Sequence, residues 1–196
     1  MTATEATDSR RDPLRADAQQ NRDRILQVAR EAFAESGDAS LNFIAKKAGV
    51  GPGTLYRHFP NREALMLAVY REDVRQLVEA APALLAAHPP AEALRLWLGR
   101  LAPYGRIKHG LAQILDAATS ADLAGESYGP VVGAITLLLD AGKDAGTVRP
   151  DIDADELLLL VGFLWRIEPG PDWDARSRHM LGLVMDALRG APRAGA

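Results

Sequence analysis

The side chains best equipped to grip an anion are gathered in one short stretch, Gly49 to Phe59, GVGPGTLYRHF, and just beyond it. Thr54 and Tyr56 carry hydroxyl donors, Arg57 and His58 carry positive charge or N–H donors, and Gly53 has no side chain to hold a bulky partner away. Arg62 follows in the first turn of a longer helix, where the macrodipole disfavours a cation and prefers Glu63. A nearby phosphate explains that arginine better than helix stability does. Backbone N–H groups at a helix start favour an anion in the same place. Hydroxyl, guanidinium and imidazole donors spaced this way position a protein on a phosphate backbone.

Other chemistries find little support. No Gly-rich phosphate loop is present, since Gly51-Pro52-Gly53 lacks the GxxxxGK pattern, and without cysteine there is no thiol nucleophile, disulfide or thiolate metal site. His58, His88, His109 and His179 are scattered, with no i, i+4 pair or carboxylate partner at metal-site spacing. The expectation is a protein that is not an enzyme and takes no metal or cofactor.

The anion-binding set needs elements to hold it, and the flanking residues supply them. Ser40 is a good N-cap for a short helix with Leu41, Ile44, Ala45 and Ala48 at apolar spacing. Gly49 sits where a left-handed residue ends that helix, Val50 plugs the corner, Gly51 caps the next helix, and Pro52 falls at its first position. Leu55 and Phe59, four apart, face the core together and leave Gly53, Thr54, Tyr56, Arg57 and His58 for the outward faces. Asn61 then caps a longer helix. The pattern is a helix-turn-helix, with the second helix as reader.

Charge agrees with this locally. The whole chain has a net charge of −3, but Ser40 to Leu65 holds Lys46, Lys47, Arg57 and Arg62 against Glu63 alone. That local +3 has the sign phosphate contact requires. Arg10, Arg11 and Arg15 read either as a flexible arm for the minor groove or as part of a solvated tail interleaved with Glu5, Asp8 and Asp12.

The rest of the chain reads as helices with short breaks, which makes the fold all-α, about nine helices in total. Asn61 to Ala81 is a long helix; Pro82 and His88-Pro89-Pro90 mark its fraying end. A fifth helix with Leu94, Trp97, Leu98 and Leu101 breaks near Pro103, Thr119 to Gly129 reads as a loop, and Pro130 opens a helix that Gly146 caps. Asp153 and Glu156 have capping-box spacing ahead of Leu157 to Ile167, a run apolar on almost all sides. Trp173 to Leu188 carries a broad apolar stripe. Such helices suit a four-helix dimer interface, with Leu157, Leu160, Phe163, Trp173, Met180, Leu183, Val184 and Ala187 as its residues, or else fill a monomeric core. Expected boundaries are a disordered tail over 1–17, the helix-turn-helix domain over 18–64, a helical ligand-binding and dimerisation domain over 65–189, and a disordered tail over 190–196.

On an ordered set of residues the chain from about Asn21 to Tyr70 resembles the DNA-binding domain of the tetracycline-repressor family of bacterial transcriptional regulators. The set comprises Ile25, Ala29, Ala32 and Phe33, then Gly37, Ile44-Ala45, Ala48-Gly49-Val50, Thr54-Leu55-Tyr56, His58-Phe59 and Glu63-Ala64-Leu65. The resemblance implies a homodimeric repressor that binds a palindromic double-stranded DNA operator and is released by a small-molecule effector. It implies phosphate contacts for Ser40, Thr54, Tyr56, His58 and Arg62, and places Asn42, Gly53, Leu55 and Arg57 where bases are reached. Two positions depart from the pattern: Phe43 stands where relatives usually carry an acid completing a capping box with Ser40, and Gly51 where they often have Ser.

The effector site is read only as a candidate apolar cavity lined by Trp97, Leu101, Tyr104, Ile114, Leu138, Phe163 and Trp165, with Tyr104, His109 or Arg106 as polar handle; core packing is the competing role for each aromatic. No segment reaches the roughly 18 apolar residues of a membrane span, and the first residues lack a signal-peptide core, so no membrane partner and a cytoplasmic location are expected. The alternative function is a helical ligand-binding or interaction protein whose reading head has lost DNA binding.

Overall fold

The computed structural model describes residues 5–35, 39–112, 117–167 and 170–189, and these are helical almost throughout. In chain order they form α1 (Glu5–Glu35), α2 (Leu41–Lys47), α3 (Pro52–His58), α4 (Arg62–Ala87), α5 (Pro90–Ala112), α6 (Ala117–Asp144), α7 (Ala154–Leu160), a 3-10 segment (Val161–Trp165) and α8 (Trp173–Leu188). Extended pairing among the described residues is limited to one bridge, Val148 with Arg189. No helix among them is long and apolar enough to cross a membrane.

The chain divides into two compact units, Met1–Val69 and Tyr70–Ala196. The division falls inside α4, after Val69 rather than after residue 64. In the first unit α1 packs on α2 and α2 on α3, around Ile25, Ala29, Ile44, Leu55 and Leu65, all buried. The second unit is built on α5, which meets α6, α8 and the 3-10 segment; its fully buried side chains include Trp97, Leu101, Ile135, Leu138 and Leu157.

Residues 5–17, expected to be a disordered tail, continue α1 outward as helix. Outward from the buried turns at Ile25 to Phe33 the helix needs only propagation and no new nucleus. Gln19 Nε2 donates to Asp23 Oδ1 at 2.8 Å, an i, i+4 pair of the kind that helps such an extension. The tail expected over 190–196 lies outside the described residues.

Three prolines expected to end, break or start helices lie inside them: Pro82 in α4, Pro103 in α5 and Pro130 in α6. A proline in a helix interior costs roughly 3 kcal/mol, and burying one large apolar side chain contributes roughly 1.5–3. Ala80, Ala81 and Leu84 around Pro82, Leu101, Ala102 and Tyr104 around Pro103, and Val131, Ala134 and Ile135 after Pro130 are all buried. Packing outweighs the lost backbone bond in each case. For the same reason Thr119 to Gly129 is not a loop: it lies in α6, where Leu123 and Ser127, four apart, turn inward together.

The apolar run beginning at Leu157 is also not one helix. Asp153 and Glu156 form the expected capping box, Glu156 N donating to Asp153 Oδ1 at 2.8 Å and Asp153 N to Glu156 Oε2 at 2.9 Å. After Leu160 the chain tightens into 3-10 geometry and ends at Arg166, whose N–H returns to the Phe163 carbonyl at 2.8 Å.

Candidate nucleic-acid interface

The reading head is built by local chemistry. Ser40 caps α2, its Oγ accepting from Phe43 N at 3.2 Å, but Phe43 cannot return the bond and leaves its ring half exposed. Gly49 has φ of 67°, and Val50 N and Gly49 N bond back to the carbonyls of Ala45 at 3.0 Å and Lys46 at 3.2 Å. This is a Schellman turn, and the left-handed residue is what lets α2 end and α3 begin at once. Gly51 caps α3 with backbone alone and Pro52 occupies its first turn. Asn61 Oδ1 accepts from Ala64 N at 2.8 Å and caps α4.

On α3 and its C-cap the buried positions are Leu55 and Phe59, while Gly53, Tyr56 and Arg57 are exposed and Thr54 and His58 are partly so. Ser40 and Asn42 are exposed at the start of α2, and so is Lys46. The surface shared by α2 and α3 therefore presents three hydroxyls, an amide, an imidazole and the cations Lys46 and Arg57. Leu55, however, is fully buried, so its side chain has no surface to offer a base, and its place as a base contact is corrected. The i, i+4 spacing to Phe59 that made it a core residue excludes the second role.

Arg62 also has a structural task. Its guanidinium carbon lies 5.4 Å from the centre of the Phe33 ring, and that of Arg22 lies 5.8 Å from the Phe59 ring. Cations over aromatic faces are attracted by about 0.5–2 kcal/mol, so a cation in the first turn of α4 does not require a phosphate. Lys47 pairs with Glu31 at 3.4 Å, which ties α2 to α1 and leaves Arg57 and Lys46 as the more available charges.

The residues expected to line an effector cavity differ in burial. Trp97, Leu101 and Leu138 are fully buried core, and Trp97 Nε1 donates to the Leu77 carbonyl at 2.8 Å, joining α5 to α4. Tyr104 is buried, with its hydroxyl donating to Tyr70 Oη at 2.6 Å; burial, and then the neighbouring Tyr70, push its pKa well above the usual phenol range. Phe163 is partly exposed in the 3-10 segment. Ile114 and the side chains of Trp165, His109 and Arg106 lie outside the described residues. A pocket of about 360 Å³ opens between α4 and α6, with Tyr70, Val74, Val78, Ser127 and Pro130 in its wall beside the charged Arg71, Arg75, Glu79 and Glu126. The sequence did not reveal it because α4 read only as a long helix and Ser127 lay in an expected loop.

The expected dimer residues divide by burial. Leu157, Trp173 and Val184 are buried within this chain and have no surface to give a partner, because α7 and α8 turn these residues toward their own unit. Leu160, Phe163, Met180, Leu183 and Ala187 keep surface. Leu159, not singled out from the sequence, is 81% exposed, and Leu183 is 51% exposed. An apolar alternation within LeuLeuLeuLeu cannot be assigned to faces without knowing where the helix packs.

Comparison with known proteins covers both units. Residues 25–69 match the tetR family of bacterial regulatory proteins, and residues 89–190 match the C-terminal domain of SbtR-like transcriptional regulators. A TetR transcriptional regulator of Streptomyces coelicolor is 42% identical with a TM-score of 0.77, the alignment covering 87% of this chain and 99% of that one. A TetR regulatory protein of Mycobacterium vanbaalenii is 36% identical with a TM-score of 0.71, covering 90% and 99%. The HTH-type transcriptional regulator UidR of Escherichia coli is 45% identical over 64 residues, 32% of this chain and about a third, 33%, of UidR itself.

Proposed function

The chain belongs to the tetR family of DNA-binding transcriptional regulators, and on that premise we propose that it is a repressor that grips a palindromic operator as a homodimer and lets go when a small molecule binds its second unit. The observation that carries the DNA reading is the division of α3 and its C-cap into a buried side, Leu55 and Phe59, and an exposed side, Gly53, Tyr56 and Arg57. Ser40, Thr54, Tyr56 and His58 supply donors to phosphates, Arg62 adds a cation at the edge of that surface, and Asn42, Gly53 and Arg57 stand at base edges.

One such head is too small to be specific. Two heads related by a twofold axis, their reading helices roughly 34 Å apart, read two half-sites whose symmetry mirrors that of the protein. The partner surface is the exposed apolar part of α7, the 3-10 segment and α8: Leu159, Leu160, Phe163, Met180, Leu183 and Ala187.

Release follows from linkage. α4 begins at Arg62 in the reading unit and continues to Ala87 in the second, so a ligand that favours another placement of α4 disfavours the operator-bound spacing. A ligand with equal affinity for both states shifts nothing.

The test is the salt dependence of operator affinity. Affinity falls steeply as salt rises, and Arg62→Ala, which removes the cation at the phosphate edge, weakens binding and flattens the slope of log affinity against log salt by about one. Binding that ignores salt in both proteins would contradict a phosphate-gripping surface and favour an interaction protein without DNA binding.

A further inference from the structure

The pocket between α4 and α6 joins two unlike surfaces. Along α4, Tyr70, Val74 and Val78 recur every fourth residue and make an apolar wall, and Pro130 and Ser127 of α6 face it. The charges at its mouth are committed to one another. Arg71 donates to both carboxylate oxygens of Glu126, at 3.2 and 3.4 Å, from one helix to the other. Arg75 is held between Glu72 at 2.6 Å and Glu79 at 2.7 Å, pairs that keep it fully charged at any working pH. A charged ligand would have to compete with one of these pairs for its partner.

The polar end of the pocket has a direction. Ser127 Oγ donates to the Leu123 carbonyl at 2.9 Å, and a carbonyl can only accept. In the 2.8 Å bond between Tyr70 Oη and Ser127 Oγ the proton must therefore come from Tyr70, which in turn accepts from Tyr104 at 2.6 Å. All three protons point one way along the chain of hydroxyls. Ser127 is taken up by its own neighbours, whereas Tyr70 Oη, having accepted one proton and given one, keeps a lone pair, and Tyr70 lines the pocket. Among its uncharged groups the site thus offers an acceptor rather than a donor.

We infer that this pocket is the effector site and that it takes a small neutral molecule with an apolar body and one hydroxyl or N–H donor, received by Tyr70. The inference rests on the effector-released regulator described above. A volume of about 360 Å³ is at the small end of ligand pockets, enough for a two-ring body. Tyr70 is the first residue of the second unit and lies two helical turns beyond Arg62 on α4. A ligand that draws on its hydroxyl acts on the helix that starts at the reading head.

The experiment uses the full chain and four probes of one shape: 2-naphthol, 2-methoxynaphthalene, 2-naphthoate and 2-naphthylmethylammonium. 2-Naphthol is expected to bind at least about fivefold tighter than its methyl ether, the value of one hydrogen bond, and tighter still than either ion. Tyr70→Phe brings 2-naphthol down to the level of the ether, and Val74→Trp, which fills the pocket, abolishes its binding while helical content is retained. By reciprocity, operator DNA weakens 2-naphthol binding. Equal binding of alcohol and ether, preference for an ion, no saturable binding of any probe, or 2-naphthol binding unchanged in a folded Val74→Trp variant would each overturn the assignment. Equal 2-naphthol affinity with and without operator would overturn its role as effector site. Failure to bind any DNA, with the probe preferences intact, would instead count against the regulator reading and leave the ligand chemistry standing.

Discussion

Replacing Leu159 and Leu183 together by Glu leaves a folded monomer whose operator affinity is lower by at least about a hundredfold, the factor gained when a second tethered head binds intramolecularly. Both side chains lie largely in solvent in the single chain, at 81% and 51% exposure. A glutamate at such a position changes stability by no more than about 0.5 kcal/mol. Across a twofold interface the same change sets like charges against each other in an apolar patch, which costs several kcal/mol. The fold survives and the dimer does not. Sedimentation velocity and operator titration on the same sample check this, with Leu157→Glu as the contrast: that side chain is fully buried, so its substitution unfolds the unit rather than parting the protomers. A double variant that stays dimeric would place the interface elsewhere.

Trp97→Ala is expected to destabilise the second unit by about 3–5 kcal/mol, the usual effect of truncating a buried large aromatic. Trp97 is fully buried on α5, and its indole N–H reaches the Leu77 carbonyl on α4 at 2.8 Å. The substitution opens a large void and removes the polar tie between the two helices. Trp97→Phe keeps most of the volume and loses the tie, so its effect should be less than half as large. Against a total stability of about 5–15 kcal/mol the alanine variant loses a third or more. Urea unfolding at fixed protein concentration measures both, and an alanine variant as stable as the parent would mean that Trp97 is not the packing centre of α5.

The reading head was legible in the sequence because its determinants are local. Ser40, Gly49, Gly51-Pro52 and Asn61 act on backbone atoms no more than five residues away, and the caps and the left-handed turn lie where those residues predict them. Asp153 with Glu156 and Gly146 were readable for the same reason. The prolines of α4, α5 and α6 misled because their local penalty is visible and the burial that overrides it is not. Leu55 shows the limit of a motif: a position near the duplex in a matching sequence pattern still spends its side chain where the core needs it. The pocket was the least legible feature. It lies where α4 and α6 fail to close on each other, between residues far apart in the chain such as Tyr70 and Ser127, and no local pattern signals it.

The central claim is that two copies of this chain read DNA through α3. Selection of binding sites from random duplex DNA by the purified protein tests it most directly. The expected result is enrichment of an inverted repeat whose half-site centres are about one helical turn apart, and loss of preference at particular base positions when Arg57→Ala is used in its place. Recovery of no common sequence, or of a single asymmetric site bound by one chain, would contradict it.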